Sequence, residues 1–159
     1  MLKDKRLVLG ITGSIAAYKA VDLASKLVQA GAEVNVIMTS AAQRFVTPMS
    51  FRAITGRPVL TDPFDVNSEF SVEHVALARR ADVVVIAPAT ANFIAKLAHG
   101  LADDMLSVTV LATQAPLVVA PAMDAAMFET AATQENVAKL KARGVYSNTV
   151  DIVTGDHGE

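Results

Sequence analysis

Four short segments, each placed directly after an apolar run, hold the residues of this sequence that are best suited to ligand binding. They comprise residues 12–15, 39–40, 88–92 and 121–124. Small and hydroxyl-bearing residues dominate them, and the single charged residue is Asp124. Backbone N–H groups and small polar side chains bind phosphates and flat, neutral rings. If the four segments lie together, they form a cleft for a phosphate-bearing cofactor.

The first segment carries the clearest signal. Apolar residues lead through Gly10 and Gly13 into an Ala-rich stretch, which is typical of a buried strand that turns into a helix. The first N–H groups of a helix lack internal acceptors and its dipole is positive there, so a phosphate is the natural ligand. Gly13 lets the backbone come close to it. Because the third glycine of the dinucleotide fingerprint is missing, the segment does not suggest NAD.

Length and composition favour one domain with a sizeable core. The chain has 159 residues, of which 52% are hydrophobic and 19% charged. This apolar balance leads us to expect subunit interfaces, and so a homo-oligomer. The net charge of −2 and the lack of a Lys/Arg cluster argue against nucleic-acid binding. A small molecule or another copy of the chain is the expected partner.

The sequence shows neither a membrane span nor a disulfide framework. No apolar run reaches the roughly 20 residues that a membrane span requires, and the first residues lead directly into a strand rather than a signal peptide. We therefore expect a cytoplasmic protein with no membrane partner. There are no cysteines, so thiolate catalysis and cysteine-based metal sites have no residue to use.

Alternating strand and helix patterns position the four segments. The predicted strands cover residues 7–11, 33–38, 82–87 and 117–120. The predicted helices cover residues 16–29, 48–55, 71–80, 93–98, 103–111 and 133–143, with loops at 58–70 and 121–128. Asn92 is the expected cap of the helix at 93–98. The order predicts a three-layer α/β sandwich with a doubly wound parallel sheet, Rossmann-like or flavodoxin-like, whose carboxyl edge holds all four segments.

Several stretches resemble the family of FMN-containing cysteine decarboxylases. The resemblance runs from about residue 6 to residue 144, with the motifs in family order, and it is carried by residues 13–19, 74–78, 87–92 and 121–128. This family includes the phosphopantothenoylcysteine decarboxylases of coenzyme A synthesis, to which the likeness is greatest, and the lantibiotic peptidyl-cysteine decarboxylases. The resemblance implies FMN as cofactor and 4'-phosphopantothenoylcysteine as the small-molecule substrate, with a peptidyl cysteine as the alternative.

The resemblance also assigns residues to the cofactor. The FMN phosphate corresponds to the first turn, and further flavin contacts to the second and third turns and to two less certain regions around Phe45 and residues 104–107. The full set is Gly13, Ser14, Ile15, Thr39, Ser40, Phe45, Pro88, Ala89, Thr90, Ala91, Asn92, Met105, Ser107 and Ala122. In this family FMN lies between subunits of a trimer, and trimers often assemble into a dodecamer.

Two residues are expected to act on the substrate. His74 matches the family's active-site histidine, although a lone histidine at a helix start more often caps the helix or lies on the surface. Asp124 stands where the best-known members have an asparagine that holds the substrate carboxylate. An ionised aspartate would repel that carboxylate, so Asp124 must be protonated, hydrogen-bonded elsewhere or placed for a different contact. Phe93 and Phe128 replace a threonine and a tryptophan of the family pattern.

A further departure concerns the C-terminal stretch. We expect a cofactor-binding decarboxylase domain at 1–144 and a tail at 145–159, and the tail does not match the cysteine-bearing flap by which family members complete the reduction to 4'-phosphopantetheine. Three readings stay open: the flap lies outside this sequence, the reaction ends at the enethiol, or the chain is a non-catalytic flavin-binding subunit. Asp103 and Asp104 more readily serve a helix dipole than a metal, and no metal site is expected.

Overall fold

The computed structural model describes residues 1–61 and 70–147, with the side chains of 70–74 and 146–147 left out of that description. The strands are β1 Arg6–Ile11, β2 Glu33–Met38, β3 Val83–Ala89, β4 Leu117–Pro121 and β5 Tyr146–Ser147. The helices are α1 Ala17–Gln29, α2 Pro48–Thr55, α3 Phe70–Arg80, α4 Ala91–His99, α5 Met105–Ala112, α6 Ala125–Glu129 and α7 Ala131–Ala142.

The strands form one parallel sheet in the order β2-β1-β3-β4-β5. β1 pairs with β2 along its whole length, from Arg6 opposite Glu33 to Ile11 opposite Met38, and its other side pairs with β3. The chain therefore winds outward from β1 in both directions, which is the doubly wound order of flavodoxin-like proteins. The predicted fold class is confirmed.

Two apolar cores cover the two faces of the sheet, because successive residues of a strand point to opposite sides. Leu9 and Phe51, both fully buried, belong to the core beneath α1 and α2. Val8 and Ile94 belong to the core on the opposite face, to which α4 and α5 contribute. At Gly10 an added Cβ would lie 2.5 Å from a methyl carbon of Leu106, so this glycine lets α5 pack directly on the sheet.

Several local predictions need correction. Thr90, not Asn92, caps α4: its hydroxyl accepts the N–H of Phe93, and Asn92 lies inside the helix. The predicted loop at 121–128 contains the short helix α6, which Asp124 caps.

Other boundaries shift by smaller amounts. The last predicted helix begins two residues early, at Ala131. In the predicted loop at 58–70, Leu60 pairs with Ile37 of β2, residues 62–69 lie outside the described residues, and α3 already begins at Phe70. In the predicted tail, β5 pairs with β4.

None of the helices in the described part of the chain combines the length and the apolarity needed to cross a membrane.

Candidate functional site

A cavity of about 480 Å³ opens at the carboxyl edge of the sheet. It lies where the chain leaves β1 and β3, the two strands from which the winding of the sheet diverges, and open α/β sheets bind their ligands at this point. Its size is in the range of cofactor sites. Three of the four predicted segments meet in it, and its lining consists of Thr12, Gly13, Thr39, Ser40, Ala41, Thr90, Ala91, Asn92, Phe93, Lys96, Asp103, Asp104 and Met127.

The first turn is held open for a ligand by short-range hydrogen bonds. Ser14 folds back so that its hydroxyl accepts the N–H of Ala16. In the part of the chain that the structure describes, the N–H groups of Gly13 and Ile15 have no acceptor. These donors lie just ahead of α1, whose dipole is positive at that end, so the turn suits an anion.

Gly13 is required here for a reason that the sequence did not reveal. A Cβ added to Gly13 would lie 2.4 Å from the Cβ of Ala41, closer than carbon atoms approach in proteins. The glycine therefore lets the first turn contact the second. In that second turn the hydroxyl of Thr39 accepts the N–H of Ala42, which shapes the other side of the cavity.

Thr12 ties the first turn to the third. Its side chain is 1% exposed. Its hydroxyl donates to the carbonyl oxygen of Pro88 at 2.6 Å and accepts the N–H of Thr90 at 3.0 Å. Removing this hydroxyl would leave the N–H of Thr90 without its acceptor and the carbonyl of Pro88 with only the backbone N–H of Thr12, at 3.3 Å. The start of α4 is thereby fixed relative to the end of β1.

The charged side of the cavity lies between α4 and α5. The Nζ of Lys96 lies 2.9 Å from Oδ1 of Asp103 and 2.9 Å from Oδ2 of Asp104. Burial lowers the pKa of Lys96, but the hydrogen bonds and the attraction of the two carboxylates outweigh this and raise it above its ordinary value. The hydrogen bond from Lys96 lowers the pKa of Asp103. Lys96 and Asp103 therefore carry opposite charges near neutral pH.

The fourth predicted segment does not line this cavity. Asp124 is exposed and its Oδ1 accepts the N–H of Ala126 at 2.8 Å, so of the three states considered for this residue the structure shows the hydrogen bond elsewhere. Ala122 and Pro88 line a separate, mostly apolar cavity of about 180 Å³ beside α1. Met127, one turn into α6, reaches the main cavity instead.

The remaining predicted site residues differ in how far they are exposed. Ile15 and Phe45 are 70% and 52% exposed and do not line the cavity. Ala89, Met105 and Ser107 are buried. His74 belongs to α3, but its side chain lies outside the described residues. Their roles toward the cofactor or substrate stay predictions.

The sequence did not identify Lys96 or Asp103 as lining residues, and it did not show that Thr12, in the first predicted segment, ties two turns together. Gly100 ends α4 in a left-handed conformation, which turns the chain and brings the acids at 103 and 104 back to the preceding helix. In the described part of the structure, no three His, Asp or Glu side chains are grouped to hold a metal.

The flavoprotein family model matches residues 1–159 of this chain. The chain belongs to the flavoprotein family. Residues 13, 39–40 and 90–92, three of the segments predicted to hold the cofactor, thus form one cavity in a chain whose family is established independently of that geometry.

Curated relatives of this flavoprotein are longer proteins. The chain is 49% identical over 144 residues to the coenzyme A biosynthesis bifunctional protein CoaBC of Vibrio vulnificus, with 91% of this chain and 36% of that protein covered. The CoaBC protein of Bacillus subtilis is 47% identical over the same shares. The chain therefore spans about a third of the length of the curated relatives it matches.

Two solved structures of similar chain length resemble this chain in fold and in sequence. The FMN-dependent cysteine decarboxylase SpaF has a TM-score of 0.84 and 40% identity, covering 92% of this chain and 85% of that one. PPC decarboxylase in complex with pantothenoylaminoethenethiol has a TM-score of 0.79 and 30% identity, covering 92% and 82%. Both likenesses extend over nearly the whole flavoprotein fold.

Proposed function

We propose that this flavoprotein binds FMN in the cavity at the carboxyl edge and decarboxylates 4'-phosphopantothenoylcysteine. The observation that carries the proposal is the cavity itself. Gly13 and the hydroxyl-bearing residues Thr12, Thr39 and Ser40 line one side of it, in a chain related over 91% of its length to a coenzyme A biosynthesis protein. Such a donor set fits a phosphate that carries a flat ring.

The chain's residues would bind and orient rather than carry out the redox chemistry. When bound, FMN supplies a two-electron acceptor for the substrate cysteine, and the oxidised substrate can then lose CO₂ because its thiocarbonyl group delocalises the resulting charge. Gly13, Ser14 and Ile15 would hold the phosphate, while Thr90, Ala91 and Asn92 would hold the ring. His74 would move a proton at the substrate, a task that suits an imidazole at neutral pH.

Asp124 would contact the substrate by a route that avoids charge repulsion. One of its carboxylate oxygens already caps α6. A water held by the second oxygen can face a substrate carboxylate where a bare carboxylate cannot. Replacement of Asp124 by Asn preserves the cap and removes the charge, and we expect the variant to keep or improve its affinity for the substrate.

A peptidyl-cysteine substrate is the second candidate, and a specific observation favours it. The solved structure of TvaF, an FMN-dependent cysteine decarboxylase from thioviridamide biosynthesis, has a TM-score of 0.86 and 33% identity, and 90% of its chain is covered. The fold of this chain thus matches nearly all of the TvaF chain. Its product would be the enethiol, without a further reduction.

Assembly would complete the site. Ile15, Tyr18, Phe45 and Met49 are large apolar side chains that are more than half exposed, and two of them belong to the predicted cofactor set. We propose a homotrimer, or trimers assembled into a dodecamer, in which a neighbouring subunit covers these residues and closes the flavin site. A cytoplasmic location is the corresponding proposal for the place of action.

The test is a turnover assay on the protein loaded with FMN. Incubation with 4'-phosphopantothenoylcysteine should release CO₂ and form an enethiol, and a peptide with a C-terminal cysteine serves as the competing substrate. We expect the His74→Asn variant to bind FMN normally and to release no CO₂. A protein that binds FMN but turns over neither substrate would instead be a flavin-binding subunit, and unchanged turnover by His74→Asn would remove the histidine from the reaction.

A further inference from the structure

Lys96 is the one cationic side chain among the described residues that line the cavity. Its side chain is 19% exposed, whereas the side chain of its first partner, Asp103, is 69% exposed. The second partner, Asp104, is 22% exposed. The contacts that hold the Lys96 side chain in place are the carboxylates of two adjacent residues.

The two carboxylate oxygens of Asp104 accept hydrogen bonds from different partners. Oδ1 accepts the N–H of Ser107 at 2.7 Å, and the Ser107 hydroxyl in turn accepts the N–H of Asp104 at 3.1 Å. This reciprocal pair caps α5. Oδ2 accepts the Lys96 ammonium at 2.9 Å. Lys96 therefore binds a carboxylate whose position is already fixed by the helix that it caps.

We propose that Lys96 supports cofactor binding through the two acids beside it: its ammonium pairs with the carboxylates of Asp103 and Asp104, so that an anionic ligand meets a paired charge at this wall of the cavity. The inference rests on the proposed binding of FMN in the same cavity. It assigns a role to three residues that the predicted cofactor set leaves out.

The contacts at the two ends of α4 support this role. Its first turn is fixed to the cavity by the bond from Thr90 N–H to Thr12, and its last turn is fixed to α5 by Lys96. Without the ammonium, two carboxylates would face a space that has to admit a phosphate-bearing ligand. Because the Asp104 side chain is only 22% exposed, the repulsion by its charge is less screened than at an open surface.

The experiment is an FMN titration followed by the quenching of flavin fluorescence, with apoprotein of the full chain. Lys96→Met keeps the apolar stem and removes the charge, and we expect the dissociation constant to rise about tenfold. Lys96→Arg should stay within about twofold of wild type. Lys26→Met is the matched control, because Lys26 pairs with Asp22 on α1 with both side chains about 70% exposed; it should bind FMN like wild type.

A double variant separates charge pairing from a structural role. Lys96→Met combined with Asp103→Asn restores the net charge of the wild type without restoring the contact, and we expect it to regain most of the lost affinity. An unchanged dissociation constant in Lys96→Met, or a double variant as weak as Lys96→Met, would overturn the inference. If Lys96→Met does not fold, near-wild-type affinity of the double variant supports the inference and tenfold weaker binding contradicts it. Failure of the wild type itself to bind FMN would instead refute the proposed function.

Discussion

The two sides of the cavity achieve order by different means. On the side of β1 and β2, Thr12, Gly13 and Thr39 build the wall from backbone groups and hydroxyls, with hydrogen bonds within and between turns and a close approach of two turns. On the side of α4 and α5, Lys96 and two acids form an ion-pair cluster. Steric contact and hydrogen bonds between turns fix the first side, whereas ion pairs hold the second. Substitutions on the first side should therefore lower the free energy of unfolding and the affinity for FMN by more.

The largest effect is expected at Gly13, where an alanine would overlap Ala41. The Cβ of Gly13→Ala would lie 2.4 Å from that of Ala41, so the two turns must move apart. We expect the free energy of unfolding to fall by about 1–3 kcal/mol and FMN affinity to fall at least about tenfold, since the donors at 13–15 shift. Urea unfolding and flavin titration measure the two quantities.

A second substitution provides the control for Gly13→Ala. Adding Ala41→Gly to that variant removes the methyl group that it strikes, and both stability and FMN affinity should recover in part. Gly13→Ala with wild-type affinity would show that the contact between the two turns does not shape the site.

Thr12→Val should come next, because it removes a buried hydroxyl while keeping its shape. The N–H of Thr90 loses its acceptor, and the carbonyl of Pro88 keeps only the backbone N–H of residue 12, which costs about 1–3 kcal/mol of unfolding free energy. Thr12→Ser keeps the hydroxyl and should lose less. If chemical denaturation shows Thr12→Val to be as stable as wild type, the tie between the first and third turns is not a source of rigidity.

On the charged side, Asp104→Ala removes both the cap of α5 and one partner of Lys96. Loss of a cap costs about 1 kcal/mol, and the partly exposed ion pair adds less than that. Asp104→Asn keeps a capping oxygen and loses the charge, so thermal unfolding should place it between Asp104→Ala and wild type. Equal losses in Asp104→Asn and Asp104→Ala would mean that the ion pair, not the cap, is the stronger contribution.

The smallest effect is expected at Asp103, whose carboxylate is exposed, and it should depend on pH. The pKa of Asp103 is lowered from its ordinary value of 3.8 by the hydrogen bond from Lys96. Its contribution to stability is therefore present above that value and is lost as the pH falls through the lower pKa of the folded state. The difference in urea midpoint between wild type and Asp103→Asn should shrink as the pH is lowered from 7 toward that pKa. A difference that is independent of pH would exclude the pair as its cause.

The contrast between the two sides of the cavity also explains which features could be predicted from the sequence. The apolar run at 83–86, the left-handed glycines that end α2 and α4 at Gly56 and Gly100, and the polar segments after three strands all have local signals, and they predicted the fold and the uncharged wall of the cavity. Lys96 pairs with acids seven and eight residues away, across a helix end. That pairing depends on how two helices pack, which no local pattern encodes.

Two wrong local predictions, the cap of α4 and the loop at 121–128, have the same cause. Thr90 and Asn92 are both good capping residues, and the one that caps α4 is the one whose N–H is fixed by Thr12, 78 residues away in the chain. The helix α6 is five residues long, too short to show a periodic pattern. Here the tertiary contacts decide the outcome between alternatives that the local sequence leaves nearly equal.

FMN should bind at the carboxyl edge with its phosphate at the uncharged wall of the cavity, and a crystal structure of the protein with FMN would show this placement. We expect the phosphate within hydrogen-bonding distance of the N–H groups of residues 13–15 and the ring beside residues 90–92. A phosphate bound instead beside Lys96, or a flavin bound outside this cavity, would contradict it.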